Sequence, residues 1–191
     1  MLTQRQWLMA PLLAVAALLA SGCEYVAPSD DIYEIGVARI GDELHVFAPL
    51  CDDERIASVE AIDNTAAAKE STFDRESTRF TYWKVAEPTD DRAARGWIVV
   101  GDDAGYQKVS VPAGSAMELP ETLAVMFRIN DPEAGHSVGG AFEVGRVPTY
   151  PAGTDPETVK YGYNLGAKNE ERLTASEISD RSKCALDYYR S

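Results

Sequence analysis

The chain has 191 residues, of which 31 are Asp or Glu and 18 are Lys or Arg, so its net charge is −13 at pH 7. A polypeptide of this length forms one domain with a sizeable core. Its negative charge repels nucleic acid, because binding to phosphates depends on Lys and Arg. The composition therefore predicts a single acidic domain and excludes nucleic acid as a partner.

The first 22 residues have the pattern of an export signal. Arg5 lies near the amino terminus, and residues 7–20 form an apolar stretch without charge. This stretch is shorter than the ~20 apolar residues that span a bilayer. The small residues Ala20–Gly22 then precede Cys23, whose thiol is available for acylation. The sequence predicts a signal peptide over residues 1–22 that is removed before Cys23.

This segment resembles the precursors of bacterial lipoproteins, whose lipobox has a large aliphatic residue, two small residues and then a modified Cys. The position three before Cys23 is Ala20, where the family usually has Leu, and Leu19 lies one step earlier. The resemblance implies lipidation at Cys23 and a location at the extracytoplasmic side of a cell membrane. An ordinary secretory signal with a Cys near its cleavage site is the alternative. The resemblance implies no activity for the residues that follow.

A short tether joins the predicted anchor to the predicted domain. Lipid attachment and tether occupy residues 23–31, and Glu24 to Asp31 is a segment of eight residues. Fully extended, such a segment reaches about 26 Å at ~3.3 Å per residue. Residues 32–191 are then predicted to form a single β-rich extracytoplasmic domain that lies close to the membrane surface.

Alternation of apolar and polar residues, interrupted by turn residues, predicts strands along most of this domain. Gly41-Asp42 between two such runs is typical of a hairpin turn. We expect a mainly β fold, an antiparallel β-sandwich that is immunoglobulin-like in broad architecture, with a barrel as the alternative. The predicted strands are Ile32–Arg39, Glu43–Leu50, Arg55–Ile62, Arg79–Ala86, Trp97–Gly101, Tyr106–Val111, Leu123–Ile129 and Ala141–Val147.

The carboxyl end has a different pattern. Thr174 is followed three positions later by Glu177, which is the spacing of a capping box. This pattern predicts a short C-terminal helix from about Ala175 to Leu186.

Two cysteines remain once Cys23 is assigned to the lipid. Cys51 and Cys184 form an even pair in an oxidising compartment, which predicts a disulfide. Closing a loop of about 100 residues stabilises a fold by ~4.7 kcal/mol in the loop-entropy model. Two buried free thiols are one alternative. A nucleophilic Cys51 near His45 is another, and it requires a lowered thiol pKa.

The histidines and glycines of the chain do not assign a metal-binding or phosphate-binding site. His45 and His136 lack the paired spacing of zinc ligands, and His45 is interpreted as a partly buried strand residue. There is no phosphate-binding glycine loop, and Gly139-Gly140 is interpreted as a bend. We therefore predict no catalytic residue, no metal site and no cofactor.

Three acidic runs are interpreted as charged turns between strands. They lack the regular ligand spacing of a dedicated Ca²⁺ loop, although binding of divalent cations is the alternative. The runs are Asp52-Asp53-Glu54, Asp90-Asp91 and Asp102-Asp103.

A long segment from Pro148 to Glu171 is predicted as a loop, and it carries Tyr150, Tyr161 and Tyr163. Long loops are often functional, and tyrosines provide amphipathic contact area at interfaces. These three rings are the candidate contact surface. The alternative is that they hold the loop against the sandwich.

Two classes of function follow from these observations. The first is a lipid-anchored binding or accessory module of an envelope complex, with a protein partner at the membrane surface. The second is a small envelope enzyme that acts through carboxylates or a metal. The first is favoured because β folds of this type commonly present binding loops and no catalytic residue is assigned, so we expect a protein that is not an enzyme.

Overall fold

Eleven strands are present in the computed structural model of the chain, which describes residues 33–70, 78–113, 119–133, 137–165 and 168–189. The predicted signal peptide, Cys23, the tether and His136 lie outside these residues. The strands are β1 (Gly36–Ile40), β2 (Glu43–Phe47), β3 (Ile56–Asp63), β4 (Thr81–Pro88), β5 (Trp97–Val100), β6 (Tyr106–Val111), β7 (Thr122–Ile129), β8 (Val138–Glu143), β9 (Thr149–Tyr150), β10 (Tyr161–Tyr163) and β11 (Glu171–Leu173).

The strands form two sheets. The six-stranded sheet has the order β11-β10-β1-β2-β5, and β9 pairs with the end of β1. The five-stranded sheet has the order β6-β4-β3-β7-β8. Every pair is antiparallel except β1 with β9. The predicted mainly β, antiparallel sandwich is confirmed, and the arrangement is not a closed barrel.

The main core contains the inward-facing side chains of both sheets. Strand β7 places Leu123, Val125, Phe127 and Ile129 in this core, as its alternation predicts. Trp83 of β4 is fully buried there. Other members include Val37, Leu44, Val46, Val59, Ala61, Val85, Ile98 and Phe142.

A second, smaller core covers the other face of the six-stranded sheet. Ala38, Ile40 and Phe47 provide its floor, since they alternate with the inward-facing residues of β1 and β2. Tyr161 and Tyr163 of β10 and Leu173 of β11 extend this face of the sheet, and the residues that cover it are Val159, Ala175 and Ile178. The six-stranded sheet is therefore buried on both faces.

Gly36 allows the close contact between this sheet and its cover. A Cβ atom at this position would lie 2.6 Å from Ile178 Cδ1 and 2.8 Å from Tyr161 Cβ. A larger residue would separate β1 from the C-terminal helix, so glycine is required by packing.

Short helices connect the strands. They are α1 (Asn64–Ala67), α2 (Asp91–Ala94), α3 (Ala175–Arg181) and the 3₁₀ turns Asp103–Gly105, Val144–Arg146 and Ala185–Tyr189. The capping box of α3 is confirmed: the Thr174 amide donates to Glu177 Oε2 at 2.8 Å, and the Glu177 amide donates to Thr174 Oγ1 at 3.3 Å.

Three details differ from the sequence predictions. The helix ends at Arg181 rather than near Leu186, because Ser182 is extended and redirects the chain towards the disulfide. Residues 148–171 contain β9 and β10 and reach the start of β11, which are strands too short to show a period of two. Gly139-Gly140 is not a bend but part of β8. A Cβ on Gly139 would lie 2.1 Å from the Val125 carbonyl oxygen, so β8 packs closely on β7 only through glycine.

Candidate functional site

Cys51 and Cys184 form a disulfide, with their Cα atoms 5.3 Å apart and 133 positions apart in sequence. The predicted pair is confirmed. The alternatives of two free thiols and of a nucleophilic Cys51 are therefore wrong for this state of the protein. The bond ties the loop after β2 to the C-terminal segment, which we define as residues 182–189.

Glu54 binds the same two parts of the chain. Its carboxylate accepts hydrogen bonds from the amides of Cys51 at 2.9 Å, Ala185 at 3.0 Å and Leu186 at 2.6 Å. The side chain is 1 % exposed, and it is the only buried charged residue within the described part of the chain. Buried carboxylates are tolerated when they accept such charge-assisted bonds. Glu54 is therefore a structural acceptor between two segments.

The loop that carries Glu54 is fixed by further hydrogen bonds. The Arg55 amide donates to Asn130 Oδ1 at 2.8 Å, and Asn130 Nδ2 donates to the Asp53 carbonyl at 3.2 Å. The Arg55 guanidinium donates to the carbonyls of Asp52 at 2.8 Å and Glu54 at 2.6 Å. These bonds hold the Glu54 carboxylate in place below the C-terminal segment.

The other two acidic runs serve as caps and anchors of turns. Asp90 accepts from the Arg92 amide at 3.1 Å, and Asp102 accepts from the Ala104 amide at 3.1 Å. Asp103 accepts from Trp83 Nε1 at 2.9 Å, which satisfies the one polar atom of that buried ring. These contacts agree with the interpretation of charged turns.

Metal binding has no geometric support within residues 33–189 as far as they are described. No group of three or more His, Cys, Asp and Glu side chains there is placed to hold a metal ion. His45 is partly buried, as predicted, and its Nε2 lies 3.2 Å from Glu43 Oε2.

Two of the three predicted contact tyrosines are buried. Tyr161 is 1 % exposed and Tyr163 is 3 % exposed, and both belong to the second core. Burial raises the pKa of the Tyr161 hydroxyl, so it remains a donor at neutral pH, and it donates to the Pro156 carbonyl at 2.9 Å. Tyr150 donates to the Lys160 carbonyl at 2.6 Å and accepts from its amide at 3.1 Å.

The prediction that Tyr161 and Tyr163 form a contact surface is therefore wrong. Their alternation within β10 directs both rings to the same covered face of the sheet. The rings hold the loop against the sandwich, which was the alternative interpretation.

A different aromatic group lies at the rim of the second core. Trp97 of β5 is half-buried, with its ring centroid 4.8 Å from that of Phe47 and 6.2 Å from that of Tyr161. The Arg92 guanidinium lies 5.5 Å from the Trp97 ring centroid and 3.4 Å from Glu157. We call Trp97, Arg92 and Glu157 the Trp97 patch.

The Trp97 patch has the composition of an interaction surface. The Arg92 side chain is 49 % exposed and that of Glu157 is 62 % exposed, so both are available to a partner. Trp, Tyr and Arg are the residues most enriched in the energetically important parts of interfaces. The rigid second core below holds the Trp97 ring in a fixed orientation, which reduces the entropic cost of binding.

One small cavity lies between the two sheets near the start of β1. Its volume is about 30 Å³, and its lining includes Tyr33, Gly140, Phe142 and Leu165. Pockets for metabolites are roughly tenfold larger, at ~300–1,000 Å³. This cavity has room for water but not for a metabolite.

No helix in the described ranges is long and apolar enough to span a membrane. Comparison with protein-family models, with curated proteins and with solved structures gave no match for this chain.

Sequence reasoning missed Glu54, the Trp97 patch and residues 135–139, whose sequence Gly-His-Ser-Val-Gly has the spacing of a nucleophile elbow. In such an elbow a helix follows the Ser, whereas here strand β8 begins at Val138. Glu54 was considered only as a member of an acidic run, although it lies three residues after Cys51. A carboxylate so close to a paired cysteine was the available signal. Nothing in the sequence distinguishes Trp97 from the apolar residues of its strand.

Proposed function

We propose that this protein is an exported, lipid-anchored binding or accessory module at the extracytoplasmic side of a cell membrane. The observation that carries the proposal is the disulfide between Cys51 and Cys184. Structural disulfides persist in oxidising compartments, whereas cytosolic thiols are kept reduced. The bond therefore supports an export signal over residues 1–22.

The lipid at Cys23 explains how an acidic protein stays at a membrane. A net charge of −13 provides no attraction to anionic lipid headgroups. Two acyl chains anchor a protein durably, at ~0.8 kcal/mol for each buried CH₂. A tether of eight residues then keeps the domain near the bilayer.

The Trp97 patch is the surface that we propose for a protein partner in the same membrane compartment. It combines a half-buried Trp, an Arg that is 49 % exposed and an exposed Glu in one place. A membrane-anchored domain needs only a small surface, because confinement to the bilayer raises the effective concentration of its partner.

Site-specific crosslinking of the full chain in a bacterial host tests both parts of this proposal. A photoreactive amino acid replaces Trp97, and crosslinked products are isolated from solubilised membranes. We expect the chain that retains Cys23 to give one discrete crosslinked product with a partner protein. The Cys23→Ser variant, which is released from the membrane, should not give this product.

The matched control carries the photoreactive residue at Val109, which is 40 % exposed on β6 of the other sheet. An equal yield of the same product from position 109 would contradict a patch centred on Trp97. Labelling with a fatty acid provides an independent measurement of the anchor. Retention of label by the Cys23→Ser variant would show that Cys23 is not the lipid site.

A further inference from the structure

Glu54 is connected to both halves of the disulfide. The Cys51 amide donates to its carboxylate directly, and the Ala185 amide, next in the chain to Cys184, donates to it as well. The Leu186 amide provides the third bond at 2.6 Å. One side chain thus orients the backbone at each cysteine.

The bonds to Glu54 make docking of the C-terminal segment a favoured step. A buried carboxylate without partners is strongly disfavoured, and hydrogen bonds to a charged group are worth about twice those between neutral groups. Two of the three donors belong to the C-terminal segment, so two of the three charge-assisted hydrogen bonds form only when that segment is docked. Ala185 is 0 % exposed and lies in the main core, which adds apolar contact to the same step.

We propose that Glu54 is a positioning residue that brings Cys184 to Cys51 before their sulfur atoms are joined. Docking of the C-terminal segment then precedes oxidation, and the segment stays docked when the disulfide is reduced. The alternative is that the disulfide alone retains the segment and that Glu54 only fills the space below it.

The oxidation itself is ordinary thiol–disulfide exchange with an oxidant that is a disulfide. One thiolate attacks the oxidant, forming a mixed disulfide and releasing one thiol of the oxidant. The second cysteine thiolate then displaces the other oxidant thiol and closes the bond. Two electrons pass to the oxidant, and the two protons of the cysteines end on its thiols. The closing step depends on the effective concentration of one cysteine at the other, which Glu54 raises.

Redox equilibrium of the full chain in detergent tests the proposal. The Cys23→Ser background leaves two thiols, and glutathione buffers of defined ratio set the potential. The fraction of disulfide is measured by alkylation and mass spectrometry. A neutral amide accepts these bonds more weakly, so we expect Glu54→Gln to undock the segment in the reduced protein and thereby to lower the effective concentration of the two thiols about tenfold or more. The matched control is Asp53→Asn. Asp53 is an exposed carboxylate in the same loop, so this substitution should leave the effective concentration of the two thiols unchanged.

A second variant keeps the test decisive if Glu54→Gln fails to fold. Cys51→Ala with Cys184→Ala removes the disulfide but keeps Glu54, and amide hydrogen exchange then reports on Ala185 and Leu186. Slow exchange at both amides supports the proposal. Exchange at the rate of an unfolded chain, or an unchanged effective concentration in a folded Glu54→Gln protein, would overturn it.

Discussion

The two sheets of the sandwich differ in what lies on their outer faces. The six-stranded sheet carries the second core, in which Ala38, Phe47 and Tyr161 of the sheet cluster with Ile178 of α3. The outer face of the five-stranded sheet has polar contacts instead. There Lys84 Nζ lies 3.0 Å from Glu60 Oε2, and Thr81 Oγ1 donates to Glu60 Oε1 at 2.7 Å.

This difference shows how a small domain extends its core without a third sheet. The segment before β10 and a helix of seven residues provide the cover, and the three short strands β9, β10 and β11 extend the sheet below it. None of these elements is long enough to be stable alone, so their packing on the six-stranded sheet stabilises them. The covered face is therefore a rigid support for the Trp97 patch at its rim.

The largest expected effect on the free energy of unfolding comes from a lysine placed on one outer face, compared with a lysine placed on the other in a separate variant. Ala38 is 0 % exposed below the second core, whereas Met126 is only half-buried on β7. We expect Ala38→Lys to lower the free energy of unfolding by about 3–5 kcal/mol, because it buries an unpaired charge. Met126→Lys should change it by less than about 0.5 kcal/mol. Urea unfolding measures both, and equal losses would contradict the difference between the faces.

Two buried tyrosines, one on each sheet, provide a second test of this comparison. The Tyr161 hydroxyl donates to Pro156, whereas the Tyr106 hydroxyl is buried without a hydrogen-bond partner among the described residues. Tyr161→Phe should lower the free energy of unfolding by about 1–2 kcal/mol, because it leaves a carbonyl without its donor. Tyr106→Phe should leave it unchanged or raise it slightly, since a buried unsatisfied group is removed. Thermal unfolding of both variants provides the measurement. A loss in Tyr106→Phe as large as that in Tyr161→Phe would contradict a Tyr106 hydroxyl without a hydrogen-bond partner.

The sequence predicts the strands of the five-stranded sheet better than the short strands of the six-stranded sheet. The alternation in Leu123–Ile129 extends over seven residues, and this strand faces the core as predicted. Strands β9 and β10 have two and three residues, so they contain too little pattern to be recognised. They form because their neighbours in the sheet come from β1, far away in sequence.

The same limit applies to the site. The disulfide was predictable because an even number of cysteines in an oxidising compartment restricts the pairing to one choice. The burial of Tyr161 and Tyr163 was not predictable, because alternation alone does not reveal that further residues cover the outer face of the sheet. The role of Glu54 depends on donors 131 and 132 positions away, which local sequence does not contain.

The smallest expected effect concerns the capping box that begins the covering helix. Hydrogen bonds from the Thr174 amide and hydroxyl to the exposed Glu177 carboxylate hold its pKa below the ordinary value. Because the folded pKa is depressed, the stabilisation is complete above the unfolded pKa and is lost as the pH falls through the folded pKa. We expect Thr174→Ala to raise the Glu177 pKa in an NMR titration and to destabilise the fold by about 1 kcal/mol at neutral pH. Since only the covered sheet depends on this helix, amides of β10 and β11 should exchange faster while those of β3 and β7 keep their protection. Equal acceleration in both sheets would mean that the two outer faces unfold together.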